Sequence, residues 1–192
     1  QVIPVTVTGG QTSAGNDFSL EALSGFTCES SVSVISAPYA TGFCANAAQP
    51  LASPCPGAPH VYQIYLRNNS NQNSIQLNQS TLEVVLPEGM SFTGFSQTCQ
   101  GGNGSFSNPV LFVQGQKQVL KWDNSNMSGD IPILGICMLQ CSVFVQNSPP
   151  APLPYVVQAQ FDAFCTAQYS HTSNFTHTQS NSCSYYRQHK RW

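Results

Sequence analysis

Short β-branched and aromatic runs, each stopped by Gly, Pro, Asn or Ser, recur along the whole chain and leave almost no room for helix. They are FTCESSVSVIS (26–36), HVYQIYLR (60–67), TLEVVLP (81–87), MSFTGF (90–95), PVLFV (109–113), QVLKW (118–122), ICMLQCSVFVQ (136–146) and YVVQAQFDAFC (155–165). Branching at Cβ and flat aromatic rings favour extended backbone, and the intervening residues favour turns. Two runs alternate cleanly: Tyr62, Ile64 and Leu66 share one face, as do Tyr155, Val157, Ala159, Phe161 and Ala163, with Gln158, Gln160 and Asp162 opposite. That period of two marks half-buried strands. The opening QVIPVTVTGG adds another, with Ile3, Val5 and Val7 on one side and Pro4, Thr6 and Thr8 on the other, before a flexible joint at Gly9 and Gly10. The predicted fold is all-β: an Ig-like two-sheet antiparallel sandwich of about nine strands, stapled by disulfides, with extended N- and C-terminal arms. DFSLEAL (17–23) is the one candidate helical turn.

The proline-rich stretches QPLASPCPGAP (49–59) and NSPPAPLP (147–154) lie between strands that a sandwich needs, so they read as surface loops rather than linkers. One domain is therefore expected over 11–165, with 1–10 as an N-terminal strand and joint and 166–192 as a C-terminal arm.

Charge is unusually sparse. Six basic and eight acidic side chains make 7% of 192 residues, against about a quarter in an average soluble protein. Asn, Gln, Ser and Thr take their place and give a wet surface with little self-repulsion, suited to an assembled or sugar-coated protein. Three of the six cations, Arg187, Lys190 and Arg191, sit at the C-terminus, which leaves Arg67, Lys117 and Lys121 against all eight acids and argues against nucleic-acid binding. No stretch reaches the ~18 to 20 apolar residues of a membrane-spanning helix. Gln1 reads as a processed terminus.

Eight cysteines, at 28, 44, 55, 99, 137, 141, 165 and 183, contain no CxxC pair, and His60, His171, His177 and His189 are not spaced to complete metal sites. All eight are disulfide candidates: Cys28, Cys44, Cys55, Cys99, Cys137, Cys141, Cys165 and Cys183. Cys137 and Cys141 lie roughly 13 Å apart along one strand, too far to bond each other, so each should take a different partner. Cys44 and Cys55 flank the first proline loop and are placed to close it. The other pairings stay open. Sequons at Asn68, Asn78, Asn103, Asn126 and Asn174 are candidates for covalently attached glycans, and with the disulfides they point to a secreted, extracellular or cell-surface chain.

At TLEVVLPEGMSFTGF the chain resembles the conserved β-sandwich repeat domain of bacterial and archaeal surface proteins. The resemblance rests on a strand entering the turn Leu86, Pro87, Glu88 and Gly89, followed by Met90 and Phe92. YQIYLRNNSNQ stands before it as the family's preceding strand and Asn-rich turn, and VLKWD after it as the Trp-bearing strand. It covers roughly 60–165 and implies a structural or adhesive module rather than an enzyme. The cysteine count exceeds the family's habit, and the family gives no account of HTSNFTHTQSNSCSYYRQHKRW. Physically the turn is explained by fold alone: Pro87 ends pairing, Gly89 supplies a positive φ, and Met90 and Phe92 return to the core.

Catalytic patterns are wanting. There is no nucleophile elbow, zinc-protease helix, phosphate loop or dinucleotide fingerprint, and Glu83 and Asp162 fall on solvent faces of strands. His171 and His177 read as part of a polar, solvated tail rather than as metal ligands. The expectation is a non-enzyme without cofactor. Tyr185, Tyr186, Arg187, Lys190, Arg191 and Trp192 form a basic-aromatic end suited to docking on an acidic neighbour, with Cys183 as an anchor. The first functional reading is a pilus-like fibre subunit that self-assembles head to tail, strand 2–8 of one copy completing a sheet of the next. The alternative is a stalk or adhesin module that binds a partner or glycan through loops, with Tyr39, Trp122 and 100–108 as candidates.

Overall fold

The computed structural model describes residues 27–37, 54, 57, 59–146, 154–166 and 169–179. Within them the strands are β1 (Ser30–Ala37), β2 (Pro59–Asn68), β3 (Ile75–Gln76), β4 (Thr81–Val85), β5 (Met90–Gln100), β6 (Ser105–Phe106), β7 (Val110–Gln114), β8 (Lys117–Trp122), β9 (Met127–Ser128), β10 (Asp130–Ile131), β11 (Ile136–Val145), β12 (Tyr155–Phe164) and β13 (Ser170–Gln179). One 3-10 turn, Leu77–Gln79, follows β3. Ile3, Val5, Val7, Gly9, Gly10, the helical candidate 17–23, Tyr39, Cys44, Cys55 and Cys183 lie outside the described residues, as does the terminal group Tyr185, Tyr186, Arg187, Lys190, Arg191 and Trp192.

Two antiparallel sheets carry the fold, one in the order β1-β2-β11-β5 and the other β13-β12-β4-β8-β7, with β3/β10 and β6/β9 as small ribbons. This is the expected all-β sandwich, and its two main sheets hold nine strands. Alternation decides which atoms meet between the layers. Tyr62, Ile64 and Leu66 of β2, Leu139 and Val143 of β11, Leu82 and Val84 of β4, and Val157 and Phe161 of β12 are all buried in one cluster. Trp122 is fully buried and its indole Nε1 donates to the Ser107 carbonyl at 2.9 Å, so it is a core residue and not a binding-loop residue. The turn after β4 has the form read from its residues: the Met90 N–H donates to the Pro87 carbonyl at 3.3 Å, and Gly89 has φ 79°. Leu86 and Met90, on either side, are buried.

Three expectations are corrected. Residues 170–179 belong to the sandwich rather than to an arm: β13 pairs with β12 along its whole length, from Tyr155↔Gln179 to Phe164↔Ser170. Its inward row is mostly polar, so it carries no hydrophobic alternation. β5 extends to Gln100, well beyond its apolar part, and absorbs a bulge where Ser142 faces Gly94 but Val143 faces Phe92. Among the cysteines, Cys28 bonds Cys165 and Cys99 bonds Cys137, while Cys141 is an unbonded, fully buried thiol. Cys141 faces Phe95 across the β5–β11 pairing and has no bonded partner among the described residues, so it serves the core as a small apolar side chain. Burial pushes its pKa up to about 12, which keeps it protonated and unreactive.

Candidate functional site

A sandwich has two sides where edge strands of opposite sheets come together, and in this chain the two sides differ in kind. On one side β1 and β13 are stitched by side chains. His171 Nδ1 accepts from the Ser30 backbone N–H at 3.3 Å and lies 2.9 Å from the Ser30 hydroxyl. At the other end the Ser36 hydroxyl donates to Gln179 Oε1 at 2.6 Å. Its only proton is thereby spent, so His60 Nε2, at 3.2 Å, and His177 Nε2, at 3.3 Å, must be N–H donors to it. Burial, then the nearby His177, holds the His60 pKa down at about 4; burial also lowers that of His177, against a hydrogen bond to Gln179 that raises it. Both rings are therefore neutral at pH 7, with the single ring proton on Nε2.

The opposite side, between β5 and β7, is open among the described residues. Among the described residues β7 ends its sheet, pairing with β8 alone. All five of its residues are exposed, Val110 at 50%, Leu111 at 46%, Phe112 at 40% and Val113 at 71% among them. Its register sets Leu111 beside the core residue Leu120, so Leu111 and Val113 point toward the space between the sheets and Val110 and Phe112 point outward. Across that space β5 presents Phe92 and Phe95, both only partly buried, with Phe95 edge-on to Trp122 at 6.1 Å. One backbone group of the β5 edge is satisfied by a neighbour, Gln118 Oε1 accepting from the Phe92 N–H at 2.6 Å, and the β5 side chain Gln97 in turn accepts from the Phe106 N–H at 2.8 Å through its Oε1. An apolar strand at a bare sheet edge is a template for another strand, and natural sheets ordinarily defend such an edge with Lys, Pro or a bulge. PVLFVQGQ carries none of these within β7.

Other predicted positions resolve one by one. Asn68 is buried, and its Nδ2 donates to the carbonyls of Asn73, at 2.8 Å, and Ile131, at 3.0 Å. Asn126 likewise spends both amide protons, on Asn108 and Lys121 at 3.1 Å each. In the folded domain both amide protons of each of these two side chains are thus engaged. Asn78, Asn103 and Asn174 are exposed. Asp162 accepts from Thr81, Thr172 and Gln160, and Glu83 pairs with Lys121 at 3.4 Å; these carboxylates are engaged on the outer sheet face. His171 and His177 are built into the seam instead of a solvated tail, and no three His, Cys, Asp or Glu among the described residues are grouped to hold a metal. The Ser36 cluster and the acceptor-like edge at β7 were not anticipated. Only the four consecutive apolar residues at 110–113, too many for a strand with one wet face, pointed to the second.

No family model and no curated protein matches the chain. Among solved structures it is similar to the full-length major pilin SpaD from Corynebacterium diphtheriae, at TM-score 0.49 and 10% identity over 79% of this chain and 35% of that one. It is similar also to BcpA, the major pilin subunit of Bacillus cereus, at 0.47 and 10% over 78% and 39%. A third is a non-cellulosomal cohesin from Archaeoglobus fulgidus, at 0.40 and 13% over 83% and 99%. The chain thus spans well under half the length of the two pilins. At these values the likenesses carry no argument about function.

Proposed function

We propose that the chain is a structural subunit of an extracellular surface fibre, in which segment 2–8 of one copy adds as a strand to the sheet of the next. The observation that carries this reading is the bare apolar edge at β7, on the open side of the sandwich. A strand laid along β7 with Ile3, Val5 and Val7 turned inward extends the row of Leu111 and Val113 and covers Phe92 and Phe95. Burying those three side chains is worth about 1.5–3 kcal/mol each before ordering costs. Gly9 and Gly10 give the joint that lets the strand leave its own domain. The disulfides fit an oxidising compartment outside the cell. The basic end with Tyr185, Tyr186, Arg187, Lys190, Arg191 and Trp192 supplies a second contact to a neighbour, and the exposed sequons leave room for glycans.

Electron microscopy and sedimentation of the chain lacking residues 1–8, and of the full chain carrying Val113→Lys, test the reading. Both should be folded and unable to form fibres. Fibre formation undiminished by the deletion rules out the donor role; fibre formation undiminished by Val113→Lys moves the acceptor away from β7.

A further inference from the structure

The two broad outer faces of the sandwich differ in charge. Pairing registers place Glu83, Lys117, Lys121 and Asp162 together on the outer face of the five-stranded sheet. On the outer face of the four-stranded sheet the same registers place Ile35, Gln63, Tyr65, Met138, Gln140 and Phe144; Arg67 is the only charged side chain within those strands, and Glu29, whose carbonyl accepts from the Asn69 N–H just before β1, continues the row at the Arg67 end. Ile35 and Phe144 are 44% and 39% exposed. Side chains on this face are tied to one another: the Tyr65 hydroxyl donates to Gln63 Oε1 at 2.9 Å and the Ser96 hydroxyl to Gln140 Oε1 at 3.3 Å. A flat face already ordered in this way loses less side-chain entropy when it is covered.

We propose that this face is a lateral contact between copies of the chain, so that fibres pack side by side through it. The packing of fibres rests on the fibre reading above; the contact between two copies does not. A second copy is the occupant the face suits. It offers almost no charge for a charged partner to read, and its amides and hydroxyls both donate and accept, so the face complements itself. Arg67 lies at one end of the face, beside Ile136, and Phe144 at the other, beside Pro59. Antiparallel stacking of two copies therefore separates the like charges and sets each arginine over the other copy's phenylalanine end, a favourable cation–aromatic arrangement.

Size decides at which level the contact acts. Four strands about 4.8 Å apart, each about eight residues long at ~3.3 Å per residue, make a face of roughly 500 Å². Stable pairs usually bury about 800 Å² on each partner, so isolated subunits should associate weakly. Fibres present many copies in register, and simultaneous engagement multiplies a weak contact into a firm one.

The test compares the full chain with Gln140→Lys, at the centre of this face, and with Gln160→Lys on the opposite face as control. Wild-type and Gln160→Lys fibres should lie in bundles under the electron microscope, and Gln140→Lys fibres singly with unchanged diameter. Wild-type fibres that lie singly, or bundles that survive Gln140→Lys, overturn the proposal. Should the chain form no fibres, the fibre reading fails, and NMR of the soluble chain across a concentration series into the millimolar range decides the contact. Shifts confined to β1, β2, β11 and β5 and abolished by Gln140→Lys support it; no shifts, or scattered ones, overturn it.

Discussion

His177 Nε2 lies 3.3 Å from the Ser36 hydroxyl, so the last described strand is held to the first by side chains and not by a backbone ladder. His60 reaches the same oxygen from β2, and two imidazoles that share one acceptor cannot both be protonated without repulsion.

Acid should therefore loosen this seam. The His60 pKa is about 4 in the folded chain and near 6.5 when unfolded, so below pH 6.5 the unfolded chain binds the proton first. Stability is complete above about pH 6.5 and falls as pH drops toward 4, by about 3 kcal/mol for His60 alone. His177 adds in the same direction. Urea denaturation at pH 7 and pH 4.5 should show this loss, and His60→Gln, which keeps an Nε2 donor without a titrating ring, should reduce it. Equal pH dependence in both proteins would remove His60 as the cause.

Cys28 and Cys165 close a loop across a sequence separation of 137, far larger than the 38 between Cys99 and Cys137. Replacing both Cys28 and Cys165 by Ala should lower stability by about 4–5 kcal/mol on the loop-entropy estimate, and more than replacing the shorter-range pair. Thermal unfolding of the two double variants checks the order. In the same samples, an alkylating reagent should reach Cys141 only after denaturation.

Gly129 and Gly115 separate two causes of intolerance. Both have positive φ, but a Cβ on Gly129 would run into the Asn103 backbone carbonyl, whereas one on Gly115 meets nothing within 4 Å. Gly115→Ala should cost about 1–2 kcal/mol, from backbone strain alone. Gly129→Ala should cost a further 1–3 kcal/mol, as the β6–β9 ribbon shifts to relieve the overlap. Chemical denaturation of both measures the difference.

Glycan mapping by mass spectrometry, after expression in a host that modifies Asn-x-Ser/Thr, should find sugar on Asn78, Asn103 or Asn174 and none on Asn68 or Asn126. Occupied Asn68 in natively folded protein would contradict its two buried amide hydrogen bonds.

β2 and β12 were readable because each has one wet and one dry face, so their apolar residues fall at every second position. The turn at Pro87 and Gly89 was readable because its residue types leave little choice of backbone. β13 was not, since its inward His171, Ser173 and His177 find polar partners on β1 and need no apolar alternation. Pairing of the cysteines was likewise hidden: Cys99 lay beyond the apolar part of its strand, and nothing in the spacing of Cys137 and Cys141 says which one faces it. The open edge at β7 depends on strand order, a property of the assembled sheet and not of the segment PVLFV.

The link between Ser36 and Gln179 joins residues 143 positions apart, and β1 meets β13 only across nearly the whole described chain. A native state so dominated by distant contacts forms slowly, because loops must close before contacts repay them. During synthesis this seam has no partner until the ribosome has passed residue 179. Late closure leaves Ser30 and Ser36 of β1 without their β13 partners in the interval, so this seam is the last part of the described domain to gain its hydrogen bonds.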